Sequence, residues 1–183
     1  MRVIAGEFKS RRLRTPTWEG LRPTSDKLRE TLFNVIAARV PGARVLDLYA
    51  GTGAVGIEAL SRGASHVTFV DSDARALKLV RENLGHCGVS DRYAIIRLRL
   101  PEGTPQLSPA GPFDLVFLDP PYGEPDLTRS IAAAAHLMAP DGLMVVEHAR
   151  RRSAPPAVDG MHRTRDLIAG DSGLAFYAAA QSL

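Results

Sequence analysis

Arg44-Val45-Leu46-Asp47-Leu48-Tyr49-Ala50-Gly51-Thr52-Gly53-Ala54-Val55-Gly56 is the stretch on which the fold turns. The apolar run Arg44–Tyr49 reads as a short buried strand, Gly51 and Gly53 as a tight turn, and Val55–Arg62 as a helix that Gly63 stops. The same unit recurs downstream. Strands are expected at His66–Val70, Tyr93–Leu98, Asp114–Leu118 and Leu143–Glu147. Between them, Ala74–Leu84 reads as a helix facing the core with Leu77, Val80 and Leu84. Asp126–Met138 reads as another, with Leu127, Ile131, Ala134 and Met138 inward. Pro101 to Pro112 holds four prolines and two glycines and reads as loop. Strands alternating with helices imply right-handed crossovers and an α/β, doubly wound, mostly parallel sheet. Thr164–Ile168 and Leu174–Ala179 flank Gly170 to Gly173 and read as a closing hairpin.

Upstream, Arg2–Phe8 and Arg12–Arg14 read as two short strands around Lys9-Ser10, and Trp18 to Pro23 as a linker. Thr24 or Ser25 then caps a helix whose apolar stripe is Leu28, Leu32, Val35 and Ile36. The expected division is a basic N-terminal β-hairpin arm with linker at 1–23 and one α/β domain at 24–183. Residues 1–40 carry nine Lys/Arg against four Asp/Glu, although the net charge of the whole chain is only +3. A basic arm on a near-neutral body suits a polyanionic partner.

A chain of 183 residues, 45% hydrophobic and 23% charged, has the composition of a globular domain. It holds no apolar run of membrane-spanning length, so no membrane contact is expected. Met1 to Arg14 lacks the apolar core of a signal peptide. Cys87 is the one cysteine, which excludes an intramolecular disulfide and fits a cytoplasmic location. His66, His86, His136, His148 and His162 show no metal-ligand spacing, so no metal is expected. The chain is expected to be a monomer.

The glycine turn points to a ligand. Glycines between a strand and a helix let a ligand approach the backbone closely. Asp71, at the end of the next strand, is placed to bond a ribose diol, with Ser72 beside it. Gly51, Gly53 and Gly56 also satisfy the dinucleotide pattern G-x-G-x-x-G. Two features oppose a nicotinamide cofactor. Asp47 suits the ammonium end of a methionine moiety better than a pyrophosphate, and no second mononucleotide half follows the third strand. The cofactor expected is S-adenosyl-L-methionine, against Asp47, Leu48, Tyr49, Ala50, Gly51, Thr52, Gly53, Asp71 and Ser72. The plainer reading is that the glycines only permit tight packing.

Asp119-Pro120-Pro121-Tyr122 ends the fourth strand, which in a doubly wound sheet adjoins the first across the topological switch point. An exocyclic amine on a base is a weak nucleophile, because its lone pair is delocalised into the ring. The Asp119 carboxylate and the Pro120 carbonyl are two acceptors for its two N–H bonds, and Pro121 helps to fix the backbone. Tyr122 offers a ring face for a base swung out of its stack. Asp119, Pro120, Pro121 and Tyr122 are therefore the expected catalytic residues. A simple strand-ending turn is the competing reading.

With these residues the chain resembles the class I methyltransferases, and more narrowly the RsmD-type small-subunit (16S) ribosomal RNA guanine-N2 methyltransferases. The narrower likeness rests on Arg2 through Phe8 with Arg11-Arg12-Leu13, on Leu21 through Asp26 with Arg29 through Asn34, on Asp47 through Ala64, and on Asp119 through Tyr122. It implies a seven-stranded Rossmann-like sheet with an antiparallel last strand. It also implies S-adenosylmethionine at Asp47 to Gly53 and Asp71, catalysis at Asp119 to Tyr122, and ribosomal RNA as partner, free or within the small subunit. Arg11, Arg12, Arg14 and Arg22 are the expected RNA contacts. Two departures stand out. The ribose acid is often Glu where this chain has Asp71, and Arg97-Leu98-Arg99-Leu100 offers no carboxylate toward adenine. Asp-Pro-Pro-Tyr chemistry serves adenine N6 as well as guanine N2, and only the N-terminal likeness selects guanine. An adenine-N6 methyltransferase, a non-catalytic RNA-binding module and a nicotinamide-dependent enzyme remain as rivals. Arg150-Arg151-Arg152 reads as a solvated loop, His148 as structural, Trp18 as an anchor for the arm or a stacking platform, and Glu147 as packing or bonding at the sheet end.

Overall fold

In the computed structural model, residues 1–18, 25–121 and 127–179 are described. Among the described residues, four α-helices, α1 (Asp26–Val35), α2 (Ala54–Ser61), α3 (Ala74–His86) and α4 (Leu127–Ala135), pack on one sheet. Its strands are β1 (Arg44–Leu48), β2 (His66–Asp71), β3 (Tyr93–Arg97), β4 (Phe113–Leu118), β5 (Met138–Ala149), β6 (Ala157–Val158), β7 (Met161–Ala169) and β8 (Ser172–Ala179). The spatial order is β3-β2-β1-β4-β5-β8-β7-β6. Strands β3 through β5 run parallel, and β8 inserts antiparallel between β5 and β7. The doubly wound sheet and its antiparallel last strand are as expected. The two-residue β6 raises the strand number from seven to eight.

Local signals explain the elements. Ser25 caps α1, its Oγ accepting from the Leu28 N–H at 3.2 Å, and Asp26 sits favourably in the first turn. Asp73 caps α3 in the same way through the Arg75 N–H. Strands β1, β2 and β4 are buried on both faces, as helix-covered parallel strands should be. Val45, Val67, Leu115, Phe117 and Val145 face a core shared with α1, α2 and α3. Leu46, Leu48, Val116, Leu118, Met144 and Val146 face the other, under α4.

Four expectations need correction. The stripe of α1 holds buried Phe33 in addition to Leu28, Leu32, Ile36 and the partly buried Val35, and Phe33 meets the Phe117 ring at 6.0 Å. Residues 101–112 contain a 3-10 helix, Thr104–Ala110, because Pro105 is tolerated in a first turn and Leu107 is pulled into the core. Strand β5 begins at Met138, where α4 was expected to end, because Met138 pairs with Phe113.

The fourth correction concerns the arm. Arg2–Phe8 and Arg12–Arg14 form no strands beyond a single antiparallel bridge, Arg2 to Arg12. Backbone bonds from Ser10 to Val3 and from Val3 to Arg11 close a compact loop instead. Its local pairing is short because the body supplies the partners. Glu58 in α2 accepts from the N–H groups of Ile4 and Ala5 at 2.8 and 3.0 Å, and Ser61 Oγ accepts from Phe8 N–H at 2.9 Å. Val3, Phe8 and Leu13 join the core of the α1, α2 and α3 face. Residues 11 to 18 then run along α3 from its last turn to its first. Arg11 donates to the His86 carbonyl, Arg14 pairs with Glu82 at 2.9 Å, and Arg75 lies 5.1 Å over the Trp18 ring.

Candidate active site

The site forms at the carboxyl ends of β1, β2 and β4, where the strand order reverses. Leu48 pairs with Val70 on one side and Leu118 on the other, so the turns after β1, β2 and β4 emerge side by side. Asp119 N–H still reaches the Leu48 carbonyl, at 3.4 Å, and Ala50 N–H reaches that of Val70 at 3.0 Å.

Backbone conformation shapes the glycine turn. Tyr49, Gly51 and Gly53 have φ of 62°, 54° and 75°. Two of these three left-handed positions are glycine, where that conformation carries no steric penalty. Tyr49 is the exception, and its hydroxyl is held 3.0 Å from Ser130 Oγ in α4. The side chains of Leu48 and Tyr49 thus turn toward the α4 side. Asn83 of α3 donates to the Thr52 carbonyl at 2.9 Å and pins the turn from the other side. Gly56 answers the dinucleotide pattern with a packing role: a Cβ there would lie 2.3 Å from Phe69 Cε1.

Two carboxylates flank the turn. One oxygen of Asp71 accepts from Gly51 N–H at 3.0 Å and the other from Asp73 N–H at 2.9 Å. Each oxygen keeps a further lone pair for a hydroxyl. Asp47 is buried, and its Oδ2 accepts from Gly56 N–H at 3.0 Å. Burial pushes its pKa up to about 7; the Gly56 bond opposes this, and Asp71 nearby adds to it. Burial therefore favours the neutral acid, and a cation brought close to it would restore the carboxylate.

Asp119 is partly exposed and engaged within the fold, Pro120 is buried and Pro121 exposed. Ser72 is exposed and its carbonyl accepts from Arg97 Nε at 3.1 Å. Tyr122 and Arg22 lie outside the described residues. Arg11 and Arg14 have the partners given above, and Arg12 is exposed. Arg150 and Arg151 are exposed where β5 ends. His148 is buried between Asp166 Oδ1, at 3.0 Å, and the Ala149 carbonyl, at 3.1 Å. Among the described residues there is no cluster of three or more metal-ligating side chains, and no helix is long and apolar enough to cross a membrane.

Sequence reasoning missed the supports. Asn83, Ser130, Glu58 and Ser61 act through contacts 31 to 81 residues distant in the chain, which periodicity does not report. Arg29, set apart in the sequence from the RNA-contacting arginines as one that could pack or pair internally on its helix, does so. It is 0% exposed, bonded to Asp26 at 2.9 Å and to the Arg2 carbonyl, and desolvation holds its basicity below the usual value. It ties α1 to the N-terminal loop.

A family profile described as "Conserved hypothetical protein 95" matches residues 1–178. Ribosomal RNA small subunit methyltransferase D of Escherichia coli (strain K12) is 34% identical over 184 residues, covering 97% of this chain and 89% of the relative. The chain belongs to the RsmD family. YlbH of Bacillus subtilis (strain 168), provisionally named an rRNA methyltransferase, is 37% identical over 97% of this chain and 98% of the relative. The solved structure of yhhF from Escherichia coli, provisionally titled a methyltransferase, superposes with a TM-score of 0.83 at 30% identity, covering 100% of this chain and 99% of that one. RsmD-family membership spans the loop, the sheet and the closing hairpin together.

Proposed function

We propose that the protein transfers a methyl group from S-adenosyl-L-methionine to the exocyclic N2 amine of a guanine in small-subunit ribosomal RNA. The observation that carries this reading is the glycine turn, flanked by Asp47 and Asp71, emerging beside Asp119-Pro120 across the strand-order reversal. The relatives named for small-subunit ribosomal RNA methylation support the substrate class.

When bound, S-adenosylmethionine supplies an electrophilic methyl on a sulfonium centre and leaves as the neutral thioether. Asp47 would hold its ammonium end, because a nearby cation restores the ionised form that burial disfavours. Asp71 would accept from the ribose hydroxyls. The turn backbone, pinned by Asn83 and Ser130, would define the ligand's depth. Asp119 and the Pro120 carbonyl would accept the two N–H bonds of the amine, so that its lone pair faces the methyl group at roughly 3–3.5 Å. As the N–C bond forms, the surplus proton passes toward Asp119. Tyr122 would stack on the extruded base. Arg11, Arg12, Arg14 and Arg22 would contact phosphates, the first and third after leaving their present partners.

Adenine N6 offers the same two N–H bonds, and the N-terminal likeness selects guanine. The test is incubation of small-subunit RNA and assembled subunits lacking the modification with enzyme and labelled methyl donor, followed by nucleoside mass analysis. N2-methylguanosine is the expected product. N6-methyladenosine would replace the reading with its rival, and absence of transfer to either substrate would favour a binding module.

A further inference from the structure

Glu147 lies one strand away from the proposed reacting carboxylate. Strand β5 pairs with β4 in register, Phe117 with Val145 and Leu118 with Val146, and Asp119 and Glu147 are the residues that follow this last pair on the two chains. On its other side Glu147 pairs with Leu174. Val145, Phe117 and Leu174 belong to the core of the α1, α2 and α3 face. Strand alternation therefore sends Glu147 to that face, as it does Asp47 beside Val45. Glu147 is 9% exposed at the carboxyl end of β5, on the edge that carries the site.

A carboxylate this buried costs free energy unless N–H or O–H groups satisfy it. Glu147 is engaged within the fold, but a carboxylate has about four lone-pair sites, enough for a ligand donor as well. The purine edge supplies the chemistry. In guanine the N2 amine adjoins N1–H, so three N–H bonds line one edge. In adenine the amine adjoins an unprotonated N1, an acceptor. Asp119 and Pro120 account for the two amine N–H bonds. A second carboxylate one strand over matches a donor at N1 and repels an acceptor there.

We infer that Glu147 is a specificity residue that accepts the N1–H of the target guanine, and so restricts methylation to a base with a donor next to its amine. This rests on the guanine-N2 reading above. A site built around such a hydrogen bond rejects a partner lacking it far more strongly than a hydrophobic pocket rejects a size mismatch.

The test replaces the methylated guanosine by 2-aminopurine, which keeps the N2 amine but has an acceptor at N1. Wild-type enzyme should methylate the guanine RNA at least about 10²-fold faster in kcat/KM. Glu147→Gln puts an amide donor at the same place, so this preference should collapse toward unity or invert. S-adenosylhomocysteine affinity, by calorimetry, should stay within a few-fold. A preference kept within threefold of wild type in E147Q would overturn the inference while leaving N2 methylation intact. Should E147Q fail to fold, equal wild-type rates on the two RNAs still overturn the inference, since they rule out a donor requirement at N1. Failure of the guanine-N2 reading looks different: wild type would give no N2-methylguanosine.

Discussion

Asp47 should couple methyl-donor binding to pH. Its carboxyl is buried against the glycine turn and pushed up to about 7, chiefly by desolvation. A tenfold change in proton affinity corresponds to about 1.4 kcal/mol. Keeping Asp47 ionised above neutrality without a neighbouring cation therefore costs on the order of 4 kcal/mol. The folded state binds this proton more tightly than the unfolded chain. The contribution of Asp47 to stability is thus greatest below about pH 4 and falls as pH rises toward 7. A bound ammonium group would reverse the preference, and the complex would carry Asp47 as carboxylate. Below neutrality, binding must then expel a proton, and affinity should fall up to tenfold per pH unit. Between about pH 7.5 and 5.5 the expected loss is about 25-fold. The range stops at about 7.5 because an α-amino group itself titrates just above it. Calorimetry at about pH 6 in buffers of different ionisation enthalpy should count close to one proton released per S-adenosylmethionine bound. Asp47→Asn should bind more weakly at the upper end of this range and lose the pH dependence. A buffer-independent enthalpy in the acidic experiment, or the same pH slope in Asp47→Asn, would refute the reasoning.

Asp119→Ala should lower turnover by about 10²–10⁴-fold, with methyl-donor affinity within a few-fold, because it removes a positioning and proton-accepting group; single-turnover transfer beside calorimetry checks this. Asp71→Ala should weaken donor binding by about 1–3 kcal/mol through lost bonds to the ribose, measured by calorimetry, and unchanged affinity would remove Asp71 from the site. Gly56→Ala should destabilise by about 1–3 kcal/mol, read from thermal unfolding, since its methyl would overlap the Phe69 ring. Replacing Arg11, Arg12 and Arg14 together should flatten the log–log salt dependence of RNA binding by roughly two to three units, and an unchanged slope would move the RNA surface toward Arg150 to Arg152.

The sequence by itself determined the elements whose information is local. Glycines between an apolar run and an amphipathic one imply a strand, a turn and a helix, and five such strands with their crossovers imply a parallel sheet reversing between β1 and β4. That reversal alone brings Asp47, Asp71 and Asp119 to one edge, so the candidate site was legible before any side chain was placed. The tertiary structure decided what depends on partners far along the chain. The N-terminal residues carry a strand-like pattern, yet Glu58 and Ser61 satisfy their backbone in place of a second strand. The helix spacing allowed Arg29 an inward face, but only the packing of α1 against the N-terminal loop supplied its partners, Asp26 and the Arg2 carbonyl, and buried it completely. Glu147 was an unassigned acid at a strand end until the β4–β5 register showed that it and Asp119 both follow directly on the Leu118–Val146 pair. Period and composition report which face of an element is apolar, but a polar side chain's role depends on which distant groups packing brings to it.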